Sequence, residues 1–240
     1  RAFAVHWLTR FTENKWTKIQ DIVVKDITAY LQSTINKSLL YIIDKRDLKD
    51  LWVECYVDSD FGGCLDSRKS TSGYLTYIKG KYGTNCLVDW SSKVQKIAST
   101  SSAEAELQAF VQATERSLIP VASILEVIMN RKVHIKIFSD NQATLQAIEK
   151  GYSNRLVHMN RTQRVSIAKM NNIYWEFNNV MNASAHKIST HENPSDNNTK
   201  ALETHIFRND KIKTKFFPLM NEVKRNQVIG NFDRNFWINL

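Results

Sequence analysis

Leu51-Trp52-Val53-Glu54-Cys55-Tyr56-Val57-Asp58-Ser59-Asp60 is where the chain changes its period. Val53, Cys55 and Val57 alternate with Glu54, Tyr56 and Asp58, the two-residue repeat of a strand with one buried face. The pleat puts Asp58 and Asp60 on the face opposite the apolar one, where the strand runs into a loop. Ser72–Lys79 alternates in the same way, and Asn85–Ser91 is a third apolar run. Gly80-Lys81-Tyr82-Gly83 between these last two is hairpin chemistry, so the segment predicts a three-stranded antiparallel meander.

Upstream the spacing is helical. Ile19, Ile22, Val23, Ile27, Tyr30 and Leu31 predict an amphipathic helix over Lys18–Tyr41, preceded by a shorter helical piece at residues 2–8. The polar stretch Asp44–Asp50 reads as a linker. Downstream, Ser99–Ser102 offers caps for a helix running to about Met129, which Pro120 should kink or break. Lys132–Ser139 predicts a fourth strand and Asp140–Glu149 a helix stopped by Gly151. A helix over Asn160–Asn171, a strand over Ile173–Val180 and a short helix from Pro194 complete the order. Strands first and alternation afterwards predict an α/β or α+β mixed sheet with helices on its faces.

Thirty-three basic against twenty-four acidic residues give a net charge of +9, with pI near 9.4, which favours a polyanionic partner. No apolar run approaches the roughly 18–20 residues of a membrane span, so no membrane partner is expected. The N-terminus shows no charged-then-apolar leader. Cys55, Cys64 and Cys86 form no C-x-x-C pair and read as reduced thiols of an intracellular protein. The start at Arg1 reads as a fragment of something longer.

Four acids sit where a strand end or helix start could bring them to one place: Asp58, Glu106, Asp140 and Asp196. Gathered together they would repel one another unless cations neutralised them, and hard oxygen ligands suit Mg²⁺ or Mn²⁺. Such a site supports metal-assisted phosphodiester cleavage. Each acid also has an ordinary explanation. Asp58 shares its face with Asp60, the fallback ligand. Glu104 and Glu106 both favour the first turns of a helix, but point about 200° apart. Asp140 is a possible N-cap, a role Asn141 could fill instead, and Asp196 could cap the helix after Pro194. His186, ten positions before Asp196, could move protons near a leaving group, with His191 competing for that role.

Tyr56–Gly63 with Asp66–Tyr74, Trp90–Lys93, Ser101–Glu106, Ser139–Gln142 and Asn193–Lys200 resemble, in order, the blocks of the ribonuclease H domain of copia-type long-terminal-repeat retrotransposon Pol polyproteins. The likeness runs from Tyr56 to Leu202. Residues 2–41 resemble the tail of that family's reverse transcriptase and its connection. The resemblance implies a ribonuclease H-like fold: a five-stranded mixed sheet, three antiparallel strands then two more, flanked by helices. It divides the chain into a helical remnant at 1–50, a ribonuclease H-like domain at 51–202 and a divergent tail at 203–240. It implies cleavage of the RNA strand of RNA–DNA hybrids, with Asp58, Glu106, Asp140 and Asp196 as metal ligands and His186 as the mobile histidine. It also selects Glu106 over Glu104, through Glu106-Leu107-Gln108-Ala109.

On this reading two Mg²⁺ ions sit roughly 3.5–4 Å apart at the scissile phosphate. Arg68, Lys69, Lys93 and Lys96 are candidates to grip hybrid phosphates. The remaining Pol polyprotein is the implied protein partner, in the cytoplasm (within a virus-like particle) or the nucleus. Three departures from the family suggest a decaying element: Asn197-Asn198 in place of an apolar pair, the altered block at Val157-His158-Met159, and the tail. The alternative function is therefore a catalytically inactive nucleic-acid-binding remnant. A DNA-directed nuclease of the same fold is a further rival.

Overall fold

The computed structural model describes residues 2–39, 41–64, 67–199 and 216–218. Helix α1 (Ala2–Leu8) leads to α2 (Lys18–Ser33), which opens with a capping box between Thr17 and Gln20. The helix expected to reach Tyr41 ends at Ser33. Thr34 leaves helical geometry and donates its hydroxyl back to the Tyr30 carbonyl, and Lys37–Leu39 is instead a short strand, β1. The meander follows as β2 (Trp52–Asp60), β3 (Thr71–Lys79) and β4 (Asn85–Val94).

Helix α3 (Ser102–Ala113) starts on the Ser101 cap, whose hydroxyl accepts from the Glu104 amide. It passes through one wide turn at Thr114–Leu118 into α4 (Ile119–Met129). Pro120 lies just past that turn. Lacking an N–H, it cannot supply an ordinary helical hydrogen bond, so the expected break is a bulge within a continuing helix. Strand β5 (Ile135–Ser139) and α5 (Gln142–Lys150) come next, with Asn141 as the N-cap and Gly151 closing the helix at φ 74°.

Residues Ile173–Val180, expected as a strand, are helical. Ile167, Met170, Ile173 and Tyr174 are buried at helical spacing through α6 (Met159–Thr162), α7 (Ile167–Asn171), a wide turn over Asn172–Glu176 and α8 (Asn178–Met181). An apolar run of this length fits either period, and packing against the sheet decides for the helix. The fifth strand is β6 (Ala183–Lys187), short and polar as an edge strand tends to be. Strand β7 (Phe216–Pro218) pairs antiparallel with β1. The rest of the 203–240 tail lies outside the described residues.

The main sheet has the order β4-β3-β2-β5-β6. β4, β3 and β2 pair antiparallel, and β5 and β6 run parallel to β2. This is the expected five-stranded mixed sheet. Val53, Cys55, Val57, Ile135 and Ile137 from the sheet and Leu107, Phe110, Leu118 and Ile148 from the helices make the core. Among the described residues no helix is long and apolar enough to cross a membrane, and Cys55, Cys64 and Cys86 form no disulfide.

The segment expected as a linker is docked. Lys45–Asp47 forms a turn in which buried Asp47 accepts from the Tyr82 amide at 2.7 Å and the Thr84 amide at 3.1 Å. Asp47 thereby fixes the Gly80–Gly83 hairpin. Burial works against its charge, but bonds from the Thr84 side chain and the two amides outweigh it and hold the carboxyl below its ordinary range. A carboxyl depressed in the fold stabilises above its unfolded pKa, and that contribution is lost as pH falls through the folded value. Asp47→Ala should therefore lower the melting midpoint at neutral pH, with the deficit shrinking in acid. Thermal melts from pH 2 to 7 test this; equal midpoints at neutral pH would contradict it.

Candidate metal centre

Asp58 and Asp140 meet because β2 and β5 are parallel neighbours. Tyr56 pairs with Phe138, so the residues two further along both strands reach the same end of the sheet. Glu106 comes from the second turn of α3. Ala105, Ala109 and Ala113 on this helix are essentially inaccessible, and their small side chains let α3 lie close to β2. One carboxylate oxygen from each of the three acids falls within 4.8 Å of the others.

The Glu106 carboxylate accepts from the Ser59 amide at 3.1 Å through Oε1, while Oε2 is buried with no partner among the described residues. Burial first, then the charges of Asp58 and Asp140, push the Glu106 carboxyl well above its ordinary range. Such a group is poorly served by protein alone. Three crowded carboxylates, one with an unused buried oxygen, form a hard donor set that fits a small divalent cation.

Each of the other two acids is held by a hydroxyl. Thr190 Oγ1 donates to Asp140 Oδ2 at 2.8 Å, and Thr199 Oγ1 donates to Asp58 Oδ2. With Asn141 capping α5 by accepting from the Thr144 amide, Asp140 is released from that duty. Asp60 is not a member of the cluster.

Asp196 is buried on the Pro194–Asn198 turn but stands outside the group of three. Its carbonyl accepts from Thr199 Oγ1 at 3.2 Å, so the hydroxyl that holds Asp58 also ties down the turn carrying Asp196. Asn193 anchors this turn. Its Nδ2 donates to the Val57 carbonyl at 2.9 Å, and its Oδ1 accepts from the Ser195 amide and hydroxyl. Asn198, which stands where an apolar residue was expected, is buried and donates to the Tyr74 carbonyl at 3.0 Å.

His186 is not brought to the acids. Its in-register pairing with Phe138 sets it a step back from Asp140, its ring stacks on Phe138 at 5.2 Å, and Nε2 contacts Ser184 Oγ at 2.9 Å. Burial, Lys136 and His134 lower its pKa. His191 is exposed in the turn beside Thr190, the residue bonded to Asp140. Glu104 is the first-turn acid of α3, as expected, with Ser101 as the cap. The buried carboxylate accepts from the Thr100 amide and hydroxyl, both at 2.6 Å, and also binds Gln163 Nε2 and lies 3.5 Å from His158 Nε2. Sequence reasoning singled out none of Thr190, Thr199 and Gly73; Thr199 and Gly73 carried a signal only as members of the Asn193–Lys200 and Asp66–Tyr74 blocks.

Against known proteins, no family model matches. The chain is 30% identical over 210 residues to the retrovirus-related Pol polyprotein from transposon TNT 1-94 of Nicotiana tabacum, covering 86% of this chain and 14% of that protein. It is a relative of retrotransposon Pol polyproteins. The Pol polyprotein from transposon RE2 of Arabidopsis thaliana is 26% identical over 217 residues, covering 87% of this chain and 13% of that protein. The chain thus spans about one-seventh of the length of these curated relatives. Among solved structures, LC11-RNase H1 in complex with RNA/DNA hybrid superposes with a TM-score of 0.40 at 16% identity, covering 61% of this chain and 93% of that one.

Proposed function

We propose that this chain is the nuclease portion of a retrotransposon Pol polyprotein and cuts the RNA strand of RNA–DNA hybrids with the help of Mg²⁺. The observation that carries the reading is the convergence of Asp58, Glu106 and Asp140 within 4.8 Å. The kinship with Pol polyproteins supports the setting in reverse transcription, and the +9 net charge supports a polyanionic substrate.

Asp58, Glu106 and Asp140 would hold the metal, with Asp196 as the further ligand once substrate is present. When bound, the two divalent ions of this proposal supply charge neutralisation and polarise water and phosphodiester. The protein's own contribution is positional. Thr199 fixes the Asp58 carboxylate, Thr190 fixes that of Asp140, and the Ser59 amide fixes that of Glu106. The 2′-hydroxyl distinguishes the strand to be cut. In this reading His186 takes part only if it leaves its stack on Phe138, and His191 is nearer the turn that holds Asp140.

Purified protein incubated with end-labelled RNA–DNA hybrid, DNA duplex and RNA duplex, each with Mg²⁺ or EDTA, tests this. The expected result is Mg²⁺-dependent cleavage confined to the RNA of the hybrid. Binding of hybrid without cleavage would replace the nuclease reading with that of an inactive nucleic-acid-binding remnant. Cleavage of DNA duplex would favour the DNA-directed rival.

A further inference from the structure

The acid-bearing end of the sheet also carries a cluster of basic groups that neither the metal centre nor the core requires. It is built by the N-terminal segment. Helix α1 packs on β4 and on the Pro194–Asn198 turn. His6, half-buried on α1, accepts the Val94 amide at 3.1 Å through Nε2. Just past the helix, half-buried Arg10 donates from a terminal nitrogen to Thr71 Oγ1 at 3.3 Å, while its Nε is buried with no partner among the described residues. Lys93, exposed on β4, directly precedes the Val94 whose amide His6 accepts; burial lowers the His6 pKa, and the charges of Arg10 and Lys93 lower it further.

The sheet register locates this cluster against the acids. Asp60, Thr71 and Val94 share one row, and Ser59, Ser72 and Lys93 share the next. Lys93 is therefore two strands from Ser59, whose amide holds Glu106. The chemistry suits an anion. A neutral His6 whose Nε2 accepts an amide proton must carry its own proton on Nδ1, leaving that nitrogen a donor. Arg10 has a planar fork of N–H donors, of which the described structure engages one terminal nitrogen, and Lys93 adds a mobile positive charge. Two cations and a neutral donor without a carboxylate partner in the described contacts match a phosphate better than a carboxylic side chain.

We propose that His6, Arg10 and Lys93 form a phosphate subsite, holding a backbone phosphate of the nucleic acid about 10 Å, two strand spacings, from Ser59 on β2. The inference rests on the proposed function for its ligand, a nucleic-acid backbone, and makes the N-terminal segment part of the substrate-binding surface.

Fluorescence anisotropy of a labelled RNA–DNA hybrid, with Ca²⁺ replacing Mg²⁺ and salt varied, reads the subsite apart from cleavage. Each phosphate contact contributes roughly 0.9 to the slope of log affinity against log salt. R10Q and K93Q should each weaken binding and make that slope shallower by up to about 0.9. R10K should keep the slope. T71V removes the bond that docks Arg10 without removing its charge, and should also keep it. Unchanged slopes in R10Q and K93Q, or a T71V effect equal to that of R10Q, would overturn the subsite, the latter by making Arg10 a docking group only. A wild-type protein that cleaves hybrid while all slopes match leaves the nuclease reading standing and removes the subsite. One that binds without cleaving, with shallower variant slopes, does the reverse.

Discussion

Asp140→Asn is expected to lower Mg²⁺-dependent cleavage of RNA–DNA hybrid by at least roughly 10²-fold and, at the same time, to stabilise the metal-free protein. The two effects have one cause. Three carboxylate oxygens within 4.8 Å repel one another unless a cation lies among them. Asn keeps the size of Asp and can still accept from Thr190 through its amide oxygen, so the local structure survives while one negative charge is lost. The sign of the pH effect follows from Glu106, whose carboxyl is raised by burial and by Asp58 and Asp140. Its folded form holds a proton that the unfolded chain releases in the ordinary glutamate range. Stability is therefore full below that range and falls as pH rises towards the raised folded value.

Asp140→Asn removes one of the two charges responsible, so its loss of stability with pH should be smaller. Melts in EDTA from pH 4 to 8 should show the variant above wild type, with the gap widening as pH rises. Adding Mg²⁺ should raise wild type more than the variant, because only the intact cluster binds the ion well. An Asn variant that cleaves hybrid at the wild-type rate would remove Asp140 from the site.

What could be read from the sequence was whatever local spacing determines. Alternation over Val53, Cys55 and Val57 located β2 and Asp58 near its end, and the Asn141 alternative to Asp140 as a cap was visible because capping is decided within a few residues. The helix end at Ser33 and the helical character of Ile173–Val180 were not legible, since both depend on what packs against an apolar run that fits either period. His186 shows the limit differently. Ten residues separate it from Asp196, but the register of β6 on β5 decides where its ring goes, and a parallel register has no local signature. The same limit hid Thr190 and Thr199, which meet acids 50 and 141 residues away in the chain.

Gly73 is the position where that long-range dependence is most exposed. Gly73 pairs with Asp58 across β2 and β3, and the Pro194–Asn198 turn lies directly over it. A Cβ built on Gly73 would come within 2.7 Å of Thr199 Cγ2, 2.8 Å of Asn198 Cβ and 3.2 Å of the Asn198 backbone carbon. The obstruction includes Cβ and backbone atoms, so a rotamer change cannot relieve it and the turn must lift. Lifting it pulls on three anchors together: Thr199 on Asp58, Asn198 on the Tyr74 carbonyl and Asn193 on the Val57 carbonyl. Overpacking of this kind costs about 1–3 kcal/mol, while a displacement near 1 Å at a catalytic group can cost on the order of 10²-fold in rate. Gly73→Ala should therefore stay folded with a modestly lower melting midpoint, yet lose cleavage nearly as completely as Asp140→Asn. The two variants should separate in EDTA, where Asp140→Asn melts above wild type and Gly73→Ala below it. Thr199→Val, which removes the hydroxyl but not the packing, should share the loss of cleavage with a smaller change in stability. If Gly73→Ala instead cleaved hybrid normally, the turn carrying Asp196 and Thr199 would have no part in aligning Asp58, and the site would reduce to the three acids alone.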